Sequence, residues 1–296
     1  MGYDHHEGQR VSRRRLIAGI GSVGLTGLLA ACGRDGGTVT TSTGETVAPQ
    51  ATTTSDLTSL FADANTCRLT ASTTQGPYYF DADKIRSDIR EDRKGVRLRV
   101  AIRVQDSEQC GPLSNAVVEI WHCDAAGLYS GAEAQSSGAN GGSGGPGGAP
   151  PGGVPSGAPA GNPPSGGAPS GGGNGQMADL TPTDDKRYLR GAQVTNADGI
   201  VEFTTIWPGW YRGRTVHIHA MVHLDNSRVL TTQLMFDEAL NTKVFAAQPY
   251  AAHTGRDTLN DNDNIYADSM LLKVTEDGDG YLGVINFGVD SDRDGS

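Results

Sequence analysis

Residues 131 to 176 contain 18 of the chain's 42 glycines and 8 of its 14 prolines. A segment of that composition has too little apolar area to offset its ordering entropy, so it is expected to be disordered. It also restricts how the rest of the chain can fold. Upstream of it lie only two or three clear strand patterns, too few to close a core unaided. The segment therefore reads as a long surface-loop insertion within one domain, tolerable because closure entropy grows slowly with loop length.

The strands that must share that core are visible as short periodic runs. "VRLRVAIRVQ" (96–105) alternates strictly, and "AVVEIWH" (116–122) follows it after the turn "CGPLSN". Beyond the insertion come "GIVEFTTIW" (199–207), "RTVHIHAMVH" (214–223) and "RVLTTQLMF" (228–236), then a helix-like "DEALNTKVFAA" (237–247) and a closing "YLGVINFGV" (281–289). Many short strands with turn signals and little helix predict an all-β sandwich of mainly antiparallel strands.

The N-terminus reads as an address. "SRRRLIAGIGSVGLTGLLAAC" (12–32) places Arg13, Arg14 and Arg15 before an apolar run too short and too glycine-rich for a comfortable membrane span. It resembles a bacterial twin-arginine export signal, and its "LAAC" ending resembles a lipobox in which Cys32 is acylated. The alternative is a plain cleaved signal with an incidental cysteine. The expected organisation is a signal over 1–32, a Thr/Ser/Gly tether over 33–65 and a domain over 66–296 carrying the 131–176 insertion. The protein is then exported and extracytoplasmic, either lipid-anchored or secreted.

The chain carries 24 basic and 34 acidic residues, a net charge of −10, and removing residues 1–31, with four arginines and two acidic residues, leaves −12. An acidic surface disfavours nucleic acid and anionic lipid as partners. Any membrane attachment rests on the lipid, and nothing in the sequence sets the oligomeric state. In an oxidising compartment Cys67, Cys110 and Cys123 remain beside Cys32. Cys110 and Cys123 bracket a strand-like run and lie too far apart to bridge. Cys67 is expected to pair with Cys123 or Cys110.

Within "RTVHIHAMVH", His217 and His219 are two residues apart and share one strand face, with Val216, Ile218 and Ala220 on the other. Two neutral imidazoles so placed can hold one metal ion, although a histidine pair is also compatible with a merely polar face. A hard cation such as iron(III) is better served by anionic oxygen donors, and a phenol can be one because the bound metal favours its deprotonation. Tyr211, in "WPGWYRGRTVHIH", lies on the turn entering the histidine strand. Tyr129, in "WHCDAAGLYSG", lies just past another strand end.

These contexts resemble the intradiol ring-cleavage dioxygenases, non-haem iron(III) enzymes that open catechols between the two hydroxyl carbons. The resemblance covers residues 67–130 and 177–290. "GPLSNAVVEIWHCDAAGLYSG" is similar to the family segment ending in the first tyrosine ligand, and "RYLRGAQVTNADGIVEFTTIWPGWYRGRTVHIH" to the segment holding the other three. It implies Fe(III) held by Tyr129, Tyr211, His217 and His219, with a small aromatic diol and O2 as partners and a muconate-type diacid as product. Arg214 stands where the family keeps an arginine beside the substrate; its other reading is a strand-edge arginine, since simple alternation puts it on the face opposite both histidines. It reaches the substrate only if the strand begins at about Thr215 and the chain turns before it. "TTQGPYYF" (73–80) resembles the pocket-lining segment, implying Thr74, Gly76, Pro77 and Tyr78 near the ring, and Gln233 matches a family glutamine next to the site.

Two departures bear on the substrate. The turn from Tyr211 to His217 is short, and Trp210 replaces a family proline, where it is expected to form a wall or platform at the mouth. The pattern looks closest to a secreted, single-domain branch. A rival reading is a lipid-anchored β-sandwich module that binds metal or aromatic ligands without turnover. Elsewhere "DSDRDG" (290–295) begins like a calcium loop without its closing glutamate. "NDNDN" (260–264) reads as a solvated loop, and His122, His223 and His253 as surface or core-edge residues.

Overall fold

The computed structural model describes residues 39–40, 46–48, 55–62, 64, 67–82, 84–141, 178–225 and 227–292. A short antiparallel pair, β1 (Val39–Thr40) and β2 (Thr46–Val47), precedes helix α1 (Ser55–Ala62). There follow β3 (Arg97–Asp106), β4 (Val117–Trp121), α2 (Glu133–Gly141), β5 (Arg190–Val194), β6 (Ile200–Ile206), β7 (His217–Leu224) and β8 (Ser227–Met235). Helix α3 (Glu238–Phe245), β9 (Lys273–Asp277) and β10 (Gly280–Val289) close the fold. Asp237 caps α3, its side chain accepting from the N–H groups of Ala239 and Leu240.

The strands form two four-stranded sheets, in the orders β6-β3-β10-β9 and β5-β4-β7-β8. Only the β3–β10 pair within them is parallel; the other pairings are antiparallel. Alternation decides which side chains meet between the sheets. Leu98, Val100, Ile102 and Val104 of β3 join Ile285 and Phe287 of β10 and Val201 and Phe203 of β6. From the second sheet come Val118 and Ile120 of β4, Ile218, Ala220 and Val222 of β7, and Leu230 and Leu234 of β8. This is the expected β-sandwich, and its core fixes which way the histidines of β7 face.

Three expectations about chain organisation change. The tether was expected to run to residue 65, but α1 packs Leu57 and Phe61 on Ala101, Ile200, Leu282 and Val284, covering the outer face of the first sheet. Its apolar spacing (Leu57, Leu60, Phe61) is helical but too brief to stand out in a polar segment. Residues 133–141, at the start of the supposedly structureless insertion, are helical. Ser136 anchors α2, its hydroxyl accepting from the Tyr129 N–H at 3.1 Å. Strands β5 and β9, unremarked in the sequence patterns, complete the two sheets. The export signal, Cys32, residues 142–176 of the insertion and the end of "DSDRDG" lie outside the described residues. Among the described residues no helix is long and apolar enough to cross a membrane.

Cys67 bonds to Cys110, with Cα atoms 5.1 Å apart, and Cys123 remains a buried free thiol. The bridge ties the segment entering the domain to the β3–β4 connection across a sequence separation of 43. For a loop of that size the chain-entropy model gives about 4 kcal/mol. A Cys67→Ser/Cys110→Ser protein is expected to unfold at lower denaturant, checked by urea titration followed by fluorescence.

Candidate metal centre

Register across the second sheet creates a row of side chains. Trp121 pairs with Arg190 on one side and with His219 on the other, and His219 pairs with Gln233. Directly paired residues share a face. Because Ile218 and Ala220 point into the sandwich, this row and His217 lie on the outer face. That face is not solvated: Tyr78 and Tyr79, Tyr129, Ala132, Leu180 and Tyr211 cover it, around Trp121, Cys123 and Met221.

Under this cover the four sequence-predicted donors come together. Tyr211 Oη lies 3.1 Å from His217 Nε2, which lies 3.1 Å from His219 Nε2. The Tyr129 ring stands 5.9 Å from that of Tyr211 and 6.3 Å from that of His219, centroid to centroid. His217 Nδ1 is 2.6 Å from the Thr215 carbonyl, which can only accept, so Nδ1 carries the proton and Nε2 presents its lone pair. His219 is braced by Trp121, whose ring stacks on it at 4.9 Å and 4°. On the other side Gly76 (φ +73°) comes so close that a Cβ there would sit 2.9 Å from His219 Cε1.

Burial governs the electrostatics. It pushes His217 down to about 3 and His219 well below the usual imidazole range, with the Arg214 charge acting in the same direction on both. It raises Tyr211, against the lowering influence of Arg214, and raises Tyr129 well above the usual phenol range, with Tyr211 adding to the effect. Both imidazoles are therefore neutral at ordinary pH, as metal binding requires.

As a protein-only network this cluster is badly satisfied. One lone pair, on His217 Nε2, faces two neighbours, while the buried Tyr129 hydroxyl and His219 Nδ1 have no hydrogen-bond partner. Buried polar atoms so placed are costly unless something else binds them. Among the described residues no group of three or more His, Cys, Asp or Glu could hold a metal. An ion here must accept the two phenols beside the two imidazoles, which suits a hard, highly charged cation.

Arg214 is brought to the site by a turn, not by the strand. β7 begins only at His217, and residues 211–214 turn before it, with Arg214 N donating to the Tyr211 carbonyl at 3.4 Å. Simple alternation, which would have sent Arg214 to the far face, does not apply. Its Nη2 donates to Gln233 Oε1 at 2.5 Å and its Nε to Asp263 Oδ2 at 2.9 Å. Gln233 is thus beside the site as expected. Tyr78 stacks on Tyr129 at 4.7 Å and meets Tyr211 edge-on at 6.4 Å. Gly76 is buried beneath it, whereas Thr74 and Pro77 are exposed.

Trp210 is not a wall at the mouth. It is buried in the sandwich core, its Nε1–H donating to the His253 carbonyl and its ring stacked on that imidazole at 4.0 Å. The turn "PGWY" sends consecutive side chains to different layers, so Tyr211 and Trp210 separate. "NDNDN" is exposed at Asp261, Asn262 and Asn264, as a solvated loop would be, but Asp263 has a fully buried side chain and Asn260 Nδ2 donates to the Phe236 carbonyl. Burial raises the Asp263 carboxyl, but Arg214 and the N–H groups of Thr215 and Ile265 lower it by more, which keeps it ionised. His122 is neither surface nor core-edge but wholly buried, between the Cys123 carbonyl and Thr205 Oγ1, each at 2.7 Å.

Arg190 was not singled out by sequence reasoning. Buried behind Tyr129, it donates to Ser130 Oγ, to the Ser130 carbonyl and to the Tyr78 carbonyl, and lies 4.0 Å from the centre of the Phe80 ring. Burial pushes its guanidinium down to about 9, with Tyr129 and Glu119 opposing that effect. Its only sequence signal was its place in "RYLRGAQV".

Burial also pushes His122 down to about 4. With His217 and His219 this makes three imidazoles that are neutral when folded and protonate near pH 6.5 when unfolded. Below that pH the unfolded chain binds more protons, so stability falls as pH drops towards the folded-state values. At pH 5 His122 and His217 each contribute a loss of about 2 kcal/mol in the metal-free protein, and His219 acts in the same direction. Urea unfolding at pH 7 and pH 5 measures this, and a pH-independent midpoint would contradict it.

Comparison with protein-family models and with characterised sequences gave no match. Solved structures did match. An intradiol ring-cleavage dioxygenase from Tetranychus urticae is 28% identical at a TM-score of 0.60, over 76% of this chain and 96% of that one. A second solved dioxygenase matches with the same identity and TM-score, over 76% of this chain and 95% of its own. The likeness spans almost the whole of each matched chain and accords with the β-sandwich: in fold and in part of its sequence the chain resembles the intradiol ring-cleavage dioxygenases.

Proposed function

We propose that this protein is a non-haem iron(III) dioxygenase that opens catechol-type rings between the two hydroxyl carbons with O2, giving muconate-type diacids. The observation that carries the reading is the convergence of His217 Nε2, His219 Nε2 and Tyr211 Oη at 3.1 Å spacings, beside a buried, unpartnered Tyr129 hydroxyl. Tyr129, Tyr211, His217 and His219 would hold the iron. Iron(III) held there would supply Lewis-acid activation of a catechol-type substrate towards O2.

The residues divide the remaining work. Tyr129 is fully buried and Tyr211 only partly so. Tyr211, ionised while it holds the metal, is therefore the residue able to take a proton from an incoming diol and turn towards solvent as the neutral phenol, while Tyr129 stays in place. Arg214, fixed from two sides and always charged, stabilises negative charge that develops on the ring as aromaticity is lost. Tyr78 and Gly76 bound the space in front of Tyr129 and His219, and Thr74 and Pro77 lie at its exposed rim. Delivery outside the cytoplasm through the N-terminal signal, with or without a lipid on Cys32, belongs to the same proposal. It makes exogenous phenols reasonable substrates.

The test is iron content, colour and oxygen uptake across a panel of catechols, with products identified. A coloured protein with one iron per chain that consumes O2 and releases ring-opened diacids supports the reading. A colourless, iron-free preparation from an iron-replete host favours the non-catalytic binding module.

Gly76 offers a finer check. Alanine there must adopt a positive φ, which costs about 1 kcal/mol or more, and its Cβ would press on the His219 ring. Gly76→Ala is expected to release iron to a chelator roughly 10-fold faster than the native protein, the scale on which disturbed ligand orientation acts. Timed loss of the visible band under chelator measures it.

A further inference from the structure

One oxygen atom, Asp263 Oδ2, serves two parts of the site. It accepts from Arg214 Nε at 2.9 Å and from the Thr215 N–H at 2.7 Å. Thr215 then turns its carbonyl to His217 Nδ1 at 2.6 Å, setting the ring orientation that leaves Nε2 facing the cluster. The other oxygen, Oδ1, accepts from the Ile265 N–H at 2.8 Å, so both carboxylate oxygens have assigned partners. Asp263 comes from a segment some 46 positions beyond His217 in sequence, and its side chain is fully buried.

From this arrangement we infer that Asp263 is a positioning residue that holds the guanidinium of Arg214 and the imidazole of His217 in mutual register. Without it Arg214 keeps only Gln233 among these two anchors, and the Thr215 peptide loses the acceptor that holds it against His217. A second acidic residue supports the same peptide. Glu238 binds Arg256 through both oxygens, Arg256 Nη2 reaches Thr215 Oγ1, and Thr215 Oγ1 in turn meets Asn260 Oδ1 at 2.7 Å. The Thr215 side chain is thereby held independently of Asp263, so a change at Asp263 acts on the Thr215 backbone and on Arg214 without freeing the whole turn.

An asparagine cannot replace the carboxylate here. Three N–H groups point at its two oxygens, and an amide offers one acceptor and one donor, so either Ile265 or the Arg214–Thr215 pair meets an N–H. Asp263→Asn is nearly isosteric and removes the function with little change of volume.

The inference rests on the iron-dioxygenase reading and is tested on the iron-loaded full chain. Asp263→Asn is expected to lower kcat at least 10-fold, to speed iron loss to a chelator roughly 10- to 100-fold, the range for outer partners of a ligand, and to shift the visible band. Arg214→Ala should lower kcat with little change in band or iron retention. In the Arg214→Ala background, Asp263→Asn should lower kcat only slightly further yet still speed iron loss, separating the two branches. If Asp263→Asn does not accumulate folded, the Arg214→Ala/Asp263→Asn double variant, which leaves no buried unpaired charge, is read against Arg214→Ala alone. Iron loss equal to that of Arg214→Ala overturns the His217 branch. Native kcat, band and iron retention in Asp263→Asn, with only the melting temperature lowered, overturn the inference while leaving the function standing. A colourless, inactive native protein overturns both. Asp268→Asn, which changes an exposed partner of Tyr266, should match the native protein throughout.

Discussion

Tyr129→Phe is expected to make the iron-free protein more stable while abolishing iron binding. The phenol oxygen is buried without a hydrogen-bond partner, and leaving such a group unsatisfied costs about 1–3 kcal/mol. Removing it should raise the unfolding free energy by about 1 kcal/mol, since the ring and its stacking on Tyr78 are retained. The same change deletes an anionic donor, so the visible band disappears and turnover with it. Opposite signs in stability and function are the mark of a group kept for chemistry. His219→Ala should likewise lose the iron, but at a cost of about 2–4 kcal/mol, because its ring packs against Trp121. His122→Ala, removing a core imidazole with two hydrogen bonds, should lose stability and keep the iron. Urea titration of iron-free samples, paired with iron analysis of loaded ones, gives both signs in one experiment. A Tyr129→Phe protein that retains iron and colour would refute the ligand assignment.

Arg214→Ala carries the second large effect. It should keep the iron, the colour and the ability to bind catechols, because no donor atom is lost. Turnover should fall by two to three orders of magnitude, the scale of removing one preorganised charge stabiliser, about 2.7–4 kcal/mol in the barrier. Loss of the guanidinium also leaves Asp263 buried and unpaired, so some loss of stability accompanies it. Steady-state oxygen uptake and catechol titration of the coloured variant separate the two effects. Near-native turnover would reduce Arg214 to an anchor of its own turn.

Signals confined to a few neighbouring residues were legible in the chain. Alternation in 96–105, 199–207 and 228–236 located β3, β6 and β8, because a half-buried strand must present every second residue to the core. The spacing of His217 and His219 placed both on one face for the same reason. Tyr129 and Tyr211 stood out by their motif contexts, and the impossibility of a Cys110–Cys123 bridge followed from the strand between them, although the choice of Cys110 over Cys123 for Cys67 did not.

Contacts between residues distant in sequence were not legible. Trp210 and Tyr211 are neighbours that a single turn sends to the core and to the site. Arg190, Trp121, His219 and Gln233 form a row only once strand order and register are set. The acidic "NDNDN" has the composition of a solvated loop, and only the packing of its segment against the turn before β7 buries Asp263 and pairs it with Arg214. Periodicity and residue chemistry are written locally, so the chain alone specified a β-sandwich, its histidine face and its donor types. Burial and charge partnership depend on which distant segments come to cover that face, and the folded arrangement of segments 73–82, 129–132 and 256–265 supplied them.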